Sequence, residues 1–278
     1  MKPVPPAPSG PYNRSMMNTK WNHPFTLPSG GNASVSDRSI CVRFDHPRKA
    51  LSTAIWGGGL HMVTSVINWK LTEYYRSEEE FPGGSVASYL ALAAEKLSCD
   101  PASAAVLLTS ARMDWHAFRS YQCHGLKVDI IATAGVEKTA VRAGEPAFYE
   151  ERDHHFYPAG TINLMVFTSG ALPEGIMARS LITITEGKTA ALQDMGIASV
   201  ATGASATGTA TDGITFVTDP KGPLYTDAGS FSKLGELLGR AAYEAVTSCI
   251  TDFDRPWNRF DALVTPPPVS IAREKDKP

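Results

Sequence analysis

The fold is decided by residues 160–196, which read GTINLMVFTSGALPEGIMARSLITITEGKTAALQDMG. The first part, from Thr161 to Thr168, is an apolar run rich in β-forming residues, which predicts a buried strand. Pro173 then stands at the start of a long segment that ends at Gly196, and proline and glycine are the usual start and stop residues of a helix. This stretch therefore predicts a strand followed directly by a long helix.

The segments around this stretch predict further strands and helices in mixed succession. Apolar runs predict strands at 39–44, 51–56, 104–109, 126–133 and 213–218, and helical spacing predicts helices at 84–97 and 230–250. Strands that are partly adjacent and partly separated by helices indicate an α+β fold, with a mixed or antiparallel sheet packed by helices in one layered domain. The strands at 126–133 and 161–168 are placed to pair antiparallel across a polar connection.

Composition changes at both ends of the chain. Residues 1–32 are rich in Pro, Ser, Gly and Asn, and residues 255–278 contain three consecutive prolines before a charged end. Such segments resist regular structure. Because 278 residues suffice for one substantial core, we expect an irregular segment at 1–32, a single domain at 33–254 and an irregular tail at 255–278.

Charge and hydropathy exclude several classes of function. The formal net charge is −2 and the isoelectric point is near 6.4, so there is no electrostatic reason to expect nucleic acid or an anionic membrane as a partner. No apolar run reaches membrane-spanning length, and the N-terminus lacks the apolar region of a secretory signal. We therefore expect a cytoplasmic protein. The four cysteines are far apart in sequence, which favours buried, reduced thiols over a zinc or redox motif.

The first of three polar motifs, Gly160 to Asn163, opens the predicted strand. Alternation along a strand places Thr161 and Asn163 on the same face. Two polar residues on one face of an apolar strand indicate a site at its amino end, so both are predicted to contact substrate. The Gly-Thr junction also raises a threonine nucleophile released by chain cleavage before Thr161, although the sequence indicates no base to activate it.

The second motif, Thr185 to Leu192, lies in the middle of the predicted long helix. Glu186 and Lys188 are surrounded there by small residues, which let another backbone or a ligand approach closely. Gly187 costs about 1 kcal/mol relative to alanine inside a helix, so it needs a packing or functional reason. A solvated Glu/Lys pair on the exposed face of the helix is the alternative interpretation.

The third motif is a loop rich in hydroxyls and glycine that leads into the strand at 213–218. Its candidate residues are Thr207, Thr209, Thr211 and Asp212. Glycines let such a loop turn its N–H groups inward, where they bind anions or oxyanions. A plain Gly/Thr turn is the alternative, and the absence of a following lysine excludes a phosphate-loop NTPase.

Other glycines and histidines are weaker candidates. Gly58 and Gly59 belong to a run of three glycines, which forms either a site loop or a simple hinge. His154 and His155 could ligate a metal, but adjacent histidines in a polar loop are more often solvated, and side chains adjacent in a strand point to opposite faces. No other set of histidine, cysteine and carboxylate residues has ligand spacing, so we predict no metal.

These motifs in combination resemble the adenosylcobinamide amidohydrolase family of corrinoid salvage. The resemblance covers about residues 50–250 and rests on TAGV at 133–136, RAG at 142–144, and the three motifs above. The chain departs from the family at Gly187, where alanine is usual, and at Ala210, where glycine is usual. The larger departure is Lys138-Thr139, in a region where the family commonly has an asparagine.

The resemblance implies hydrolysis of the amide that joins aminopropanol to the corrin ring of adenosylcobinamide. The products are adenosylcobyric acid and 1-amino-2-propanol, and the partner is a small-molecule corrinoid, with no further cofactor; a homo-oligomer stays open. Within this activity we assign Glu186 to activate water, Lys188 or the loop at 207–211 to hold the oxyanion, and Asn163 to orient the amide. Asp212 is the remaining catalytic carboxylate, and further substrate contacts are expected from Gly58, Gly59, Thr133 and Arg142.

Two alternatives stand beside this activity. The departure at Lys138-Thr139 is compatible with a corrinoid-binding or carrier protein that has lost the hydrolytic step. A threonine-nucleophile hydrolase acting on another amide is the second alternative, and it predicts a chain cut between Gly160 and Thr161.

Overall fold

The computed structural model describes residues 24–146 and 161–251. In these residues lie three α-helices, eleven strands and three short 3₁₀ helices at Glu78–Glu80, Pro101–Ser103 and Met113–Trp115. In chain order the main elements are β1 (Phe25–Thr26), β2 (Asn32–Val35), β3 (Ser39–Ser52), β4 (Gly59–Lys70), α1 (Val86–Lys96), β5 (Ala104–Thr109), β6 (Ala117–Cys123), β7 (Leu126–Ala134), β8 (Ala140–Val141), β9 (Ile162–Thr168), α2 (Glu174–Asp194), β10 (Gly208–Thr209), β11 (Gly213–Thr218) and α3 (Lys233–Thr251).

Nine of the strands form one mixed sheet in which β3 is the branch point. From β6 the order runs through β7, β9 and β11 to β3, and β3 also pairs with β2 and with β4, which in turn pairs with β5. The pairs β9–β11 and β4–β5 are parallel, and the other pairs are antiparallel. The predicted antiparallel pairing of β7 with β9 is confirmed, with Ile131 opposite Met165.

The sheet curls so that β4 and β5 face β7 and β9. Alternate residues of each strand belong to different cores: Val66 and Leu107 share one core with Ile131 and Met165, whereas their neighbours along β4 and β5 pack with α1. A third core fills the space between α2, α3 and the outer face of β7, β9 and β11. The layers are therefore helix, sheet, sheet and helix, and the predicted α+β fold with one layered domain is confirmed.

Six strands lie where no strand was predicted: the long strands β4 and β6 and the short strands β1, β2, β8 and β10. The two long ones are the larger difference. Polar residues interrupt the apolar pattern of both, and sheet neighbours decide such cases more than intrinsic preference does. The strand predicted at 39–44 and the first two residues of the one predicted at 51–56 belong to one strand, β3, which has a register shift between Arg43 and Arg48. Residues 53–56 lie beyond its end. Gly58 lies in the connection from β3 to β4, and Gly59 is the first residue of β4.

The ends of the domain are only partly covered by the described residues. Strand β1 is already paired with β2 at Phe25, within the segment predicted to be irregular. Residues 1–23, 147–160 and 252–278 lie outside the described residues, so the predicted domain boundaries stay predictions.

Candidate functional site

A cleft of about 730 Å³ opens at one end of the two facing sheet halves. It lies where β5 and β7 end and where β9 and β11 begin, so both sheet halves contribute to it. Its lining consists of residues 53–55, 71–75, 107–112, 134–135, 137–139 and 211–213, together with Phe81, Val86, Trp115, Thr161 and Asn163.

One wall of this cleft, which we call the polar wall, is formed by Thr161, Asn163, Thr211 and Asp212. The strands β9 and β11 are parallel neighbours, and Gly213 lies opposite Asn163. The starts of the two strands therefore meet at the same edge of the sheet. The Oγ1 atoms of Thr161 and Thr211 lie 2.5 Å apart, so the first and third sequence motifs meet at this wall.

Asp212 is the hydrogen-bonding centre of the polar wall. Its carboxylate accepts hydrogen bonds from Ile162 N at 3.1 Å, from Thr209 N at 3.1 Å and from Thr209 Oγ1 at 2.5 Å, and it pairs with the ammonium of Lys188. A carboxylate with this many donors anchors the loop and the start of β9. Gly208 permits this arrangement, because a Cβ there would lie 2.4 Å from Asp212 Oδ2 and 2.7 Å from Lys188 Nζ.

Asn163 is held by a chain of amide hydrogen bonds that joins the two sheet halves. Its Nδ2 donates to Asn68 Oδ1 at 2.8 Å and to Leu108 O at 2.9 Å, and Asn68 Nδ2 donates to Thr133 Oγ1 at 2.9 Å. Both N–H groups of Asn163 are therefore used, and its carbonyl oxygen is the atom available to a ligand. Thr133 was predicted to bind substrate, but its hydroxyl instead accepts a hydrogen bond from Asn68, which in turn holds Asn163.

The structure corrects the assignment of Glu186 as catalytic base. Its side chain is exposed and does not line the cleft, whereas Lys188 is buried. Residues two apart on a helix project about 200° apart, so only one of the two can face the sheet. The buried stripe of α2, which includes Met177, Ile184 and Ala191, carries Lys188 and excludes Glu186, and this helical spacing is readable in the sequence.

Several other predicted substrate contacts have structural roles away from the cleft. Thr207 Oγ1 accepts a hydrogen bond from Ala143 N at 2.8 Å, and Arg142 donates to Ser205 O at 3.0 Å. These bonds join the Arg-Ala-Gly element to the hydroxyl-rich loop. The predicted residues that do not line the cleft are Gly58, Gly59, Thr133, Arg142, Glu186, Lys188, Thr207 and Thr209.

The sequence did not indicate the second wall of the cleft, which is apolar. This apolar wall contains Ile55, Leu71, Tyr74, Tyr75, Phe81 and Val86. Ile55 and Tyr74 are 65% and 61% exposed, although large apolar side chains usually avoid water. Lys138 also lines the cleft, so the departure from the family pattern lies within the site.

Histidines 154 and 155 lie outside the described residues. Within 24–146 and 161–251, no three His, Cys, Asp or Glu side chains are grouped so that they could hold a metal ion. In the same residues, no helix has the length and apolar character needed to cross a membrane.

Comparison with known proteins found one family and several weaker likenesses. A family model described as adenosylcobinamide amidohydrolase matches residues 25–255. The uncharacterised protein MJ1613 of Methanocaldococcus jannaschii is 30% identical over 239 residues, covering 78% of this chain and 88% of that protein.

Among solved structures, the PH0078 protein of Pyrococcus horikoshii OT3 has a TM-score of 0.43 at 12% identity, covering 86% of this chain and 83% of that chain. A Burkholderia sp. β-aminopeptidase has a TM-score of 0.38 at 12% identity, with 78% of each chain covered. The L-aminopeptidase D-Ala-esterase/amidase of Ochrobactrum anthropi has a TM-score of 0.37 at 10% identity, covering 79% of this chain and 82% of that chain.

Proposed function

The chain belongs to the adenosylcobinamide amidohydrolase family, and we propose that it hydrolyses the amide between aminopropanol and the corrin ring of adenosylcobinamide. The products are adenosylcobyric acid and 1-amino-2-propanol. The observation that supports this proposal most directly is the meeting of two sequence motifs in one cleft, where Thr161 and Asn163 stand beside Thr211 and Asp212.

The polar wall offers the groups that bind an amide. Asn163 Oδ1 is the acceptor that we assign to the N–H of the scissile amide, because both of its own N–H groups are already used. The hydroxyls of Thr161 and Thr211 are the groups nearest to each other on this wall and are able to donate and accept. Asp212 and Lys188 hold these residues in place and do not contact substrate in this assignment.

The apolar wall suits the body of the substrate. A cleft of about 730 Å³ lies in the range that encloses a drug-sized ligand, and a corrinoid with its adenosyl group is larger than that. We therefore place the aminopropanol arm inside the cleft and the ring outside, against the exposed side chains of Ile55 and Tyr74.

No resident cofactor is assigned to this reaction, because the corrinoid itself is the substrate. We expect that a chelator added to the purified protein leaves the rate of hydrolysis unchanged. Loss of activity with chelator and its recovery with one divalent ion would contradict this expectation.

The experiment that tests the function is incubation of the purified chain with adenosylcobinamide. Release of 1-amino-2-propanol together with adenosylcobyric acid is the expected result. Glu186→Gln is the matched control, and it should retain full activity because Glu186 is exposed and outside the cleft. Tight binding of the corrinoid by a folded wild-type protein without either product would favour the carrier function instead.

A further inference from the structure

In the polar wall, the hydroxyls of two threonines hydrogen-bond to each other. Other threonine hydroxyls that line the cleft instead accept hydrogen bonds from backbone or arginine N–H groups. Thr53 Oγ1 accepts a hydrogen bond from Ile214 N, Thr109 Oγ1 accepts one from Ala111 N, and Thr72 Oγ1 accepts one from Arg38. The Oγ1 atoms of Thr161 and Thr211 instead lie 2.5 Å apart. A hydrogen bond between two hydroxyls, each able to donate and accept, is a path along which a proton can pass.

We propose that Thr161 is the nucleophile of the hydrolysis and that Thr211 carries its proton to the leaving amine. This inference rests on the proposed function and adds a covalent intermediate to it. Thr161 lines the cleft beside Asn163, the residue that we assign to the amide N–H, so its hydroxyl lies next to the expected position of the scissile carbonyl.

The peptide unit that follows Thr161 is held at both its carbonyl and its N–H group, which restrains the position of the Thr161 hydroxyl. The carbonyl oxygen of Thr161 accepts a hydrogen bond from Gly135 N at 3.0 Å. The next amide, Ile162 N, donates to Asp212 Oδ1 at 3.1 Å. Asp212 is in turn paired with Lys188. A nucleophile whose supporting residues are themselves fixed needs little reorganisation to reach the reactive geometry.

The proposed reaction proceeds in two balanced steps. In the first, Thr161 Oγ1 forms a bond to the amide carbon, its proton passes to Thr211 Oγ1, and the proton of Thr211 passes to the amide nitrogen as the C–N bond breaks. Neutral 1-amino-2-propanol leaves, and the corrinoid acyl group stays on Thr161 as an ester. In the second step, water adds to the ester carbon and the C–O bond breaks, which releases the acid and restores the hydroxyl of Thr161.

Thr161→Val tests the nucleophile, because valine keeps the shape of threonine and removes only the hydroxyl. We expect the rate of 1-amino-2-propanol release to fall at least about a hundredfold, while Thr161→Ser retains measurable turnover. Thr211→Val should also lower the rate strongly. Thr247→Val is the matched control, because Thr247 lies on α3 outside the cleft and its hydroxyl donates to Tyr243 O; it should leave the rate unchanged.

Trapping tests the intermediate directly and does not depend on whether Thr161→Val folds. During turnover by wild type or Thr161→Ser, added hydroxylamine should convert part of the corrinoid product into a hydroxamate, and a quenched digest should carry the corrinoid acyl mass on the peptide that contains residue 161. Near-normal turnover by a folded Thr161→Val protein, or neither product of trapping, would overturn the nucleophile while leaving the proposed function standing. Absence of 1-amino-2-propanol from the wild-type reaction would instead overturn the proposed function.

The intact mass of the active protein tests the role of Thr211. The proton path through Thr211 needs no free amine at Thr161, so the active chain should be uncut before this residue. A chain cleaved between Gly160 and Thr161 would overturn the assignment to Thr211, because the new α-amine would then be the base.

Discussion

Lys188 and Asp212 form the most buried ion pair that lies beside the cleft, with side chains that are 7% and 17% exposed. The cost of removing this pair from water is offset in part, because the carboxylate also accepts hydrogen bonds from Ile162 and Thr209. Removing one partner from such a pair leaves a charge with little access to water, which costs more than the pair contributes.

Lys188→Met should therefore lower both stability and turnover. We expect a loss of about 3 kcal/mol in the free energy of unfolding, measured by urea denaturation. Turnover should fall as well, because the loop that carries Thr211 is anchored through Asp212. Glu186→Gln, two residues away on the same helix, should change stability by no more than about 0.5 kcal/mol. Equal effects of the two substitutions would contradict these positions.

Asp129 is a fully buried carboxylate outside the cleft, and it lies four residues before Thr133 on β7. Burial raises the pKa of Asp129, while the hydrogen bond from Ser29 N acts in the opposite direction. Because the folded pKa is the higher one, its stabilising contribution is complete below the unfolded pKa of about 3.9 and is lost as the pH rises through the folded pKa.

Asp129→Asn should remove this pH dependence. Relative to wild type, the variant should gain stability as the pH rises from below about 4 towards neutrality, because asparagine does not ionise. Denaturant unfolding of both proteins at several pH values measures the difference. A difference that does not vary with pH would show that Asp129 titrates alike in the folded and unfolded chain.

At the scale of elements, the contact between α2 and α3 explains the glycine in the second motif. A Cβ on Gly187 would lie 2.3 Å from Gly239 O, so the two helices approach each other through their backbones. The close approach brings α2 against the sheet, where Lys188 reaches Asp212.

Gly187→Ala should therefore destabilise the protein although alanine is the better helix former. We expect a loss of about 1–3 kcal/mol from overpacking, which exceeds the intrinsic gain of about 1 kcal/mol. Gly175→Ala is the matched control in the first turn of the same helix, where a Cβ would meet nothing within 4 Å. This control should stabilise the protein or leave it unchanged, so in thermal melts only Gly187→Ala should lower the melting temperature.

At the scale of the whole molecule, the cleft exists because the sheet curls at β3. The curl brings β4 and β5 over β7 and β9. Residues 53–55 and 71–75 therefore line the same cleft as the polar wall. The apolar wall and the polar wall thus come from different parts of the chain, and we expect them to serve different parts of the substrate.

Ile55→Ser with Tyr74→Ser should separate these two roles. We expect KM for adenosylcobinamide to rise at least about tenfold, because each lost apolar contact is worth roughly 1 kcal/mol or more, while kcat stays near the wild-type value. A small amide that carries only the aminopropanol arm should show no change in kcat/KM. Equal losses for both substrates would mean that these side chains act on the polar wall rather than on the ring.

The spacing of apolar residues in the sequence predicted most of the helices and strands. The positions of β5, β7, β9, α2, β11 and α3 follow from local apolar patterns, because each of these elements buries a face against a core. The short strands β1, β2, β8 and β10 were missed, and so were the long strands β4 and β6, whose polar residues are accommodated by sheet partners distant in sequence. The four residues of the polar wall were predicted as site residues from their motifs. Glu186 was predicted to belong to the same site, but it is exposed and lies outside the cleft.

By itself the sequence determined the α+β class, the motifs and the residues Thr161, Asn163, Thr211 and Asp212 as candidates, because polar side chains in otherwise apolar elements are visible locally. Only the tertiary structure decided which of them share a cleft. The partner of Asp212 and the apolar wall at Ile55 and Tyr74 depend on contacts between residues far apart in the chain. Such contacts are set by how the sheet curls and how α2 packs against α3, and no local pattern encodes them.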